Sequence, residues 1–189
     1  MSRHYTDLTF TDSVKATQER YGTRAVGARM EDVPVDDQRL GEREAAFIAQ
    51  RDSFYMASVL ENGWPYLQHR GGPQGFLKVL DSQTLGFADY RGNKQYISTG
   101  NVKADDRVAL FFMDYPNRTR LKLMARAEVV DLDAPEAADL LAKIEDADYR
   151  ARIERLYVFR VEAFDWNCPQ HITPRFSTDE WAALAETGS

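Results

Sequence analysis

Hydrophobic positions along this chain change their period near residue 50. Before it they recur at helical spacing. Thr11 or Asp12 can cap a short helix running through Val14 and Gln18, after which Gly22 and Gly27 interrupt the pattern. The acidic, Pro-containing stretch Glu31 to Gln38 reads as a surface connection, and a helix is expected from Glu42 to Gln50, with Ala45, Ile48 and Ala49 on one face. Beyond it, aromatic and β-branched residues come in short runs between turn residues. Phe54 to Leu60 and Trp64 to His69 flank Asn62-Gly63, a strong hairpin signal because a type I′ turn needs two positive φ angles. Gly71-Gly72-Pro73 breaks the second strand. Phe76 to Leu80 and Thr84 to Asp89 form a further pair around Asp81-Ser82-Gln83, and Val108 to Met113 precedes Leu121 to Val130. In the latter, Leu121, Leu123, Ala125, Ala127 and Val129 alternate with Lys122, Met124, Arg126 and Glu128, the mark of an antiparallel strand with one wet face. Pro135 to Ile144 has helical spacing at Ala137, Leu140, Leu141 and Ile144, a last strand runs from about Arg155 to Asp165, and Thr178 to Ala185 forms a short helix.

The pattern therefore predicts a mainly β fold with helices: a six-stranded antiparallel barrel, closed or split, under helical cover. The expected organisation is a helical cover over 1–50, a barrel over 51–171 with a helix inserted at 135–145, and a tail helix over 172–189. A length of 189 residues with 43% hydrophobic and 29% charged content fits one compact domain. The longest apolar run, Val108 to Met113, is far shorter than the roughly 20 residues of a membrane helix. The N-terminus lacks the apolar core of a secretory signal and Cys168 is the lone cysteine, so a reducing, cytoplasmic setting is expected.

The net charge of -6 argues against nucleic acid and anionic membranes as partners. It also conceals an asymmetry. Between Arg91 and Arg126 eight basic residues face three acidic ones, a local +5, so the rest of the chain carries -11. Such an island suits an anionic small molecule better than a duplex. Within it, Arg91-Gly92-Asn93-Lys94-Gln95 follows a strand and precedes Tyr96 to Asn101, which can begin a helix. Charged donors and a helix N-terminus at that point suit a phosphate, and a solvated basic turn explains the spacing equally well. In Gln68-His69-Arg70-Gly71-Gly72-Pro73-Gln74-Gly75-Phe76-Leu77-Lys78, three glycines within five residues let backbone approach a flat ligand, or simply form a loop between strands. Asn117-Arg118-Thr119-Arg120-Leu121-Lys122 opens a strand with cations that also serve edge protection. In Phe164-Asp165-Trp166-Asn167-Cys168-Pro169-Gln170-His171, Trp166 can stack on a ring or fill the core, and His171 can donate a proton. The three histidines fit no metal-ligand spacing, so no metal is expected. A Cys168–His171 nucleophile pair is the weaker idea, because Pro169 intervenes and only Asp165 offers an orienting carboxylate.

In order and motif the chain resembles the pyridoxamine 5′-phosphate oxidase-like family of FMN-binding split barrels, over roughly Glu44 to His171. The residues that carry the resemblance are Gly75-Phe76-Leu77-Lys78-Val79-Leu80-Asp81, Gly86-Phe87-Ala88-Asp89-Tyr90-Arg91-Gly92-Asn93-Lys94 and the Asn117 to Lys122 strand start. It is most similar to a bacterial subgroup of unassigned substrate in which His-Arg-Gly-Gly-Pro and Asn-Cys-Pro-Gln-His recur. By position, the resemblance implies that Pro73, Gln74, Gly75, Phe76, Leu77 and Lys78 line the isoalloxazine ring. Ala88 and Asp89 stand where the family has a Tyr-Thr pair on the flavin chain, and Asn93 and Lys94 match its phosphate-binding Arg-Lys pair. Asn93 removes one charge from that clamp, which Arg91 or Arg118 can restore. Arg120 falls at a ring-contacting position, and Trp166 matches a Trp reaching the flavin from the other subunit. Arg120 or Arg70 is the candidate cation beside the ring's N1–C2=O edge. Where the true oxidase has an Arg-Leu-His-Asp-Arg motif holding pyridoxal substrate, this chain reads Cys168-Pro169-Gln170-His171-Ile172.

The resemblance thus implies an FMN-dependent oxidoreductase, homodimeric with FMN at the subunit interface, exchanging electrons with a small-molecule donor or acceptor. Because the flavin carries the chemistry, no catalytic side chain is required beyond His171 as a weak candidate. The alternatives are a flavin-binding or flavin-sensing protein without turnover, a true pyridoxamine 5′-phosphate oxidase, and a haem- or deazaflavin-binding split barrel.

Overall fold

In a computed structural model of the chain, residues 5–32, 39–166 and 169–187 are described. Three helices lead: α1 (Tyr5–Thr9), α2 (Asp12–Arg20) and α3 (Arg24–Glu31). Thr11 caps α2 by accepting a hydrogen bond from Val14 N at 3.4 Å. Helix α3 departs from the sequence expectation, since Gly27 lies inside it and does not break it. Helix α4 (Glu42–Ala49) forms as expected, but its buried residues are Glu44, Phe47 and Ile48 in place of the Ala45, Ile48 and Ala49 face. Strands β1 (Ser53–Val59) and β2 (Pro65–Gly71) make the Asn62-Gly63 hairpin, but Gly63 has φ of +86° while Asn62 does not have positive φ, so the turn is not the expected type I′; Leu60 N donates to Trp64 O at 2.9 Å and Gly63 N to Leu60 O at 2.8 Å.

Next come β3 (Lys78–Asp81), β4 (Thr84–Tyr90), helix α5 (Ile97–Ala104), β5 (Arg107–Asp114) and β6 (Thr119–Asp131). The chain closes with helix α6 (Ala137–Ile144), β7 (Ile153–Trp166) and helix α7 (Thr178–Thr187). Seven strands form one antiparallel sheet in the order β2-β1-β5-β6-β7-β4-β3, where six were expected. All seven fall on strand-like runs of the sequence, so the expectation of six undercounts them; the four-residue β3, which overlaps Phe76 to Leu80, pairs with β4 as a short edge.

The sheet curls onto itself. Phe54 on β1 meets Phe87 on β4 with ring centroids 5.7 Å apart, although β5, β6 and β7 lie between those strands in the hydrogen-bonded ladder. Phe76, Phe112 and Phe159 pack on the same Phe54 ring, so inward-facing aromatics fill the barrel and close it across the open edges. On the other side of β4, Ala88 packs beneath α6 with Val130, Ile144 and Leu156. The outer face of the β1–β2–β5 segment carries Tyr55, Val59 and Leu67, which are 37%, 39% and 63% exposed. No helix among the described residues is long and apolar enough to cross a membrane.

Candidate functional site

Strand β4 delivers Asp89 to the inside of the barrel rim, one position past the small Ala88 that faces α6. Burial makes that carboxylate costly unless it is paired, and two strands supply cations. Arg70 on β2 donates from Nη1 to Asp89 Oδ1 at 2.8 Å, and Arg155 on β7 donates from Nη1 to Asp89 Oδ2 at 2.6 Å. Burial pushes the Asp89 carboxyl up from its usual value against the pull of Arg70 and Arg155, with Glu154 adding to the rise. Arg155 also donates to Glu154 at 3.0 Å and lies 4.7 Å from the centre of the Tyr96 ring. Arg70 sits 5.1 Å from the centre of the Tyr157 ring, whose hydroxyl is 2.9 Å from Thr99 Oγ1, and burial raises the Tyr157 pKa. The Arg70 Nε is buried without a hydrogen-bond partner among the described residues.

Helix α5 is anchored to this rim by polar bonds. Ser98 Oγ donates to Gln68 Oε1 at 2.6 Å, and Asn101 Nδ2 donates to Ser58 Oγ at 2.9 Å. Its first residue follows Tyr96, which, like Lys94, has left-handed backbone, at φ +55° and +62°. Asn93 stabilises the turn by accepting from Gln95 N at 3.1 Å. Unbranched L residues adopt this conformation rarely, so two within three positions mark a loop held in place by its surroundings. The result is a small cleft of about 50 Å³, open to solvent, whose walls include Arg70, Asp89, Asn93, Lys94, Arg155 and the start of α5. Three cations and two carboxylates line it. Both carboxylates are already paired with the arginines, while Lys94 is exposed and has no carboxylate within ion-pair distance among the described residues.

The residues singled out from sequence thus divide. Arg70, Asp89, Asn93 and Lys94 come together at the cleft, and Arg91 lies beside it, exposed, with its N–H donating to Arg152 O at 2.9 Å. The loop Pro73 to Leu77 serves packing. Gly75 at φ +75° runs so close to α4 that a Cβ would stand 3.0 Å from Ala49 O, and Phe76 and Leu77 are in the barrel core. Gln74 is exposed on that loop, and Lys78 begins β3 half-buried. The Ala88 side chain faces α6, away from the cleft. Arg118, at φ +52°, and Arg120 lie at the β5–β6 turn and the start of β6. Trp166 sits across from Leu121 and donates from Nε1 to Glu44 Oε1 at 2.7 Å, with Phe47 edge-on at 4.8 Å and Arg43 over the ring at 4.2 Å. His171 is exposed at φ +62°, and Cys168 falls outside the described residues. Sequence reasoning missed Ser98, Thr99, Glu154, Arg155 and Tyr157, which no local motif joins, while Gln68 opens the Gly-rich stretch without a role of its own.

Strand pairing, barrel closure and the β4–α5 loop can be compared with known proteins. Residues 40–167 match the family model for pyridoxamine 5′-phosphate oxidase. The chain belongs to the pyridoxamine 5′-phosphate oxidase family. Its fold is similar to that of a candidate pyridoxamine 5′-phosphate oxidase from Lactobacillus delbrueckii, with 24% identity over 69% of this chain and 96% of that one, at a TM-score of 0.53. HupZ of group A Streptococcus shares the fold at 14% identity, over 72% of this chain and 100% of that one, at a TM-score of 0.51. At these identities the likeness is one of fold. No curated protein sequence matches.

Proposed function

We propose that this family member binds FMN, with the phosphate in the cleft beside Lys94 and α5, and uses it as an oxidoreductase on a small molecule. The observation that carries the reading is that left-handed Lys94 and Tyr96 bring an exposed ammonium, with no carboxylate partner among the described residues, and the start of α5 to the lining of one cleft. Lys94, Asn93, Ser98 and Thr99 would hold the phosphate, with Arg70 and Arg155 behind them. FMN, when bound, supplies hydride and electron transfer, and the chain's own residues bind it, orient it and set the charge around it.

The reading includes a second copy of the chain. Arg155 and Trp166 stand at opposite ends of β7, eleven residues apart, on the order of 35 Å of strand. One flavin nucleotide does not span that distance, so Arg120 and Trp166 meet the ring only from a partner whose barrel docks alongside. The exposed Tyr55, Val59 and Leu67 supply an apolar face for that contact.

The test is the absorption spectrum of the purified protein together with parallel titrations by FMN and riboflavin. Expected are a flavin spectrum or stoichiometric FMN uptake, a dimer by light scattering, and a weaker grip on riboflavin. Lys94→Ala is expected to weaken FMN roughly tenfold while leaving riboflavin unchanged. A colourless monomer that takes up neither flavin defeats the proposal. Mixing the loaded protein with NADH or NADPH under stopped flow then separates an enzyme, which bleaches and reoxidises, from a flavin binder, which does neither.

A further inference from the structure

We infer that Asp89 makes the cleft select oxyanions that carry a proton, such as the monoanion of a phosphate monoester, over fully deprotonated ones such as sulfate. The inference rests on the reading of this cleft as an anion site and concerns what that site recognises. Asp89 is buried, with its side chain 10% exposed, and lies among the cleft's lining residues. Its Oδ1 accepts from Arg70 and its Oδ2 from Arg155. An ionised carboxylate offers about four acceptor positions and no donor, so each oxygen retains one free to accept. A guest that fits must therefore donate a hydrogen bond there.

The remaining charged and titratable groups around Asp89 reinforce the point. Arg70 approaches from β2, Arg155, Glu154 and Tyr157 from β7, and Lys94 and Tyr96 from the loop before α5. The arginines favour the ionised carboxylate against its burial and each gives it one hydrogen bond, while Lys94 supplies attraction for any anion regardless of its protons. Attraction and selection thus reside on different residues. A phosphate group loses its second proton near pH 6, so both of its forms are present at neutrality, whereas sulfate has acceptors alone. Burial also raises the Asp89 pKa, which favours sharing a proton with the guest.

The experiment is calorimetric titration of the full chain with methyl phosphate, a monoester whose dianion at pH 8 has no proton left to donate, and with sulfate, at matched ionic strength and at pH 6 and 8. Expected for the natural sequence is at least tenfold tighter methyl phosphate binding at pH 6, with the preference shrinking at pH 8. Asp89→Asn, checked for native circular dichroism, is expected to bring the two anions to within threefold at both pH values by admitting sulfate. Lys94→Ala is expected to weaken both anions alike and keep their ratio. If the natural chain binds methyl phosphate and sulfate equally, or if Asp89→Asn keeps the natural ratio, the role of Asp89 is overturned even while FMN binds. If neither anion nor FMN binds the natural chain, the anion-site reading falls and takes this inference with it. Should Asp89→Asn fail to fold, the natural chain's ratio and its pH dependence decide alone.

Discussion

At its start β7 places Arg155 against the Asp89 carboxylate, whereas at its end the same strand places the Trp166 indole against Glu44. Both ends bury an acidic side chain, and they compensate it differently. Asp89 is held by two guanidiniums from strands that are distant in sequence, beside a cleft open to solvent. Glu44 accepts one neutral N–H from Trp166 and a second from Gly41 N at 3.0 Å, both within the α4 packing layer, where Phe47 closes on the indole. The first arrangement stores charge at a place a ligand can reach. The second uses a carboxylate to dock a helix to a strand end. A carboxylate next to cations and a carboxylate next to an indole therefore report different functions, even on one strand.

The largest effect that could break this contrast comes from Asp89→Ala, which leaves two buried guanidiniums facing each other. Urea unfolding is expected to show a loss of about 3–5 kcal/mol. A loss under 1 kcal/mol would mean that water, and not Asp89, satisfies the arginines. Trp166→Phe comes next: it keeps a ring against Phe47 and removes the donor to Glu44. A loss of about 1–2 kcal/mol in urea unfolding is expected.

A reference outside both ends is Gly63→Ala at the hairpin turn, where φ is +86° and no atom lies within 4 Å of the added Cβ. Only backbone conformation is at stake there, so about 1 kcal/mol is expected from thermal melts. The smallest effect is acid-dependent. The half-buried Asp105 is held to a pKa of about 2 by hydrogen bonds from Arg107. Because its folded value lies below its ordinary one, its contribution is present above pH 4 and disappears as pH falls toward 2. Asp105→Asn should flatten the stability profile in that window alone, and an NMR titration that finds an ordinary carboxylate value would remove the effect.

Much of the barrel was legible because its signals are local. Asn62-Gly63 sets one hairpin, and the Leu121 to Val129 alternation reappears as the burial pattern of β6. Helix α3 was not legible, since Gly27 reads as a breaker until α2 is seen packed against it, with Gln18 Oε1 only 2.5 Å from where a Cβ would stand. The candidate site was legible in half. Asn93 and Lys94 announce themselves by charge and spacing beside a glycine. Arg155 and Glu154 do not, because their meeting with Asp89 spans 66 residues and exists only once the sheet curls. Trp166 carried the right residue type for a ring contact, and within its own chain the neighbour that claims it is α4.

In the ladder, β2 and β3 each have a single strand neighbour, and the gap between the two rims is crossed by side chains, Phe54 to Phe87 and Arg70 to Asp89. That gap is a seam fastened without main-chain bonds. Parting it costs ring contacts and one charge cluster but no rung of the sheet, so breathing should start there. Deuterium uptake along β2 should outpace that of the doubly flanked β6 by orders of magnitude, and it should slow when an anion settles beside Asp89 and ties the rims together.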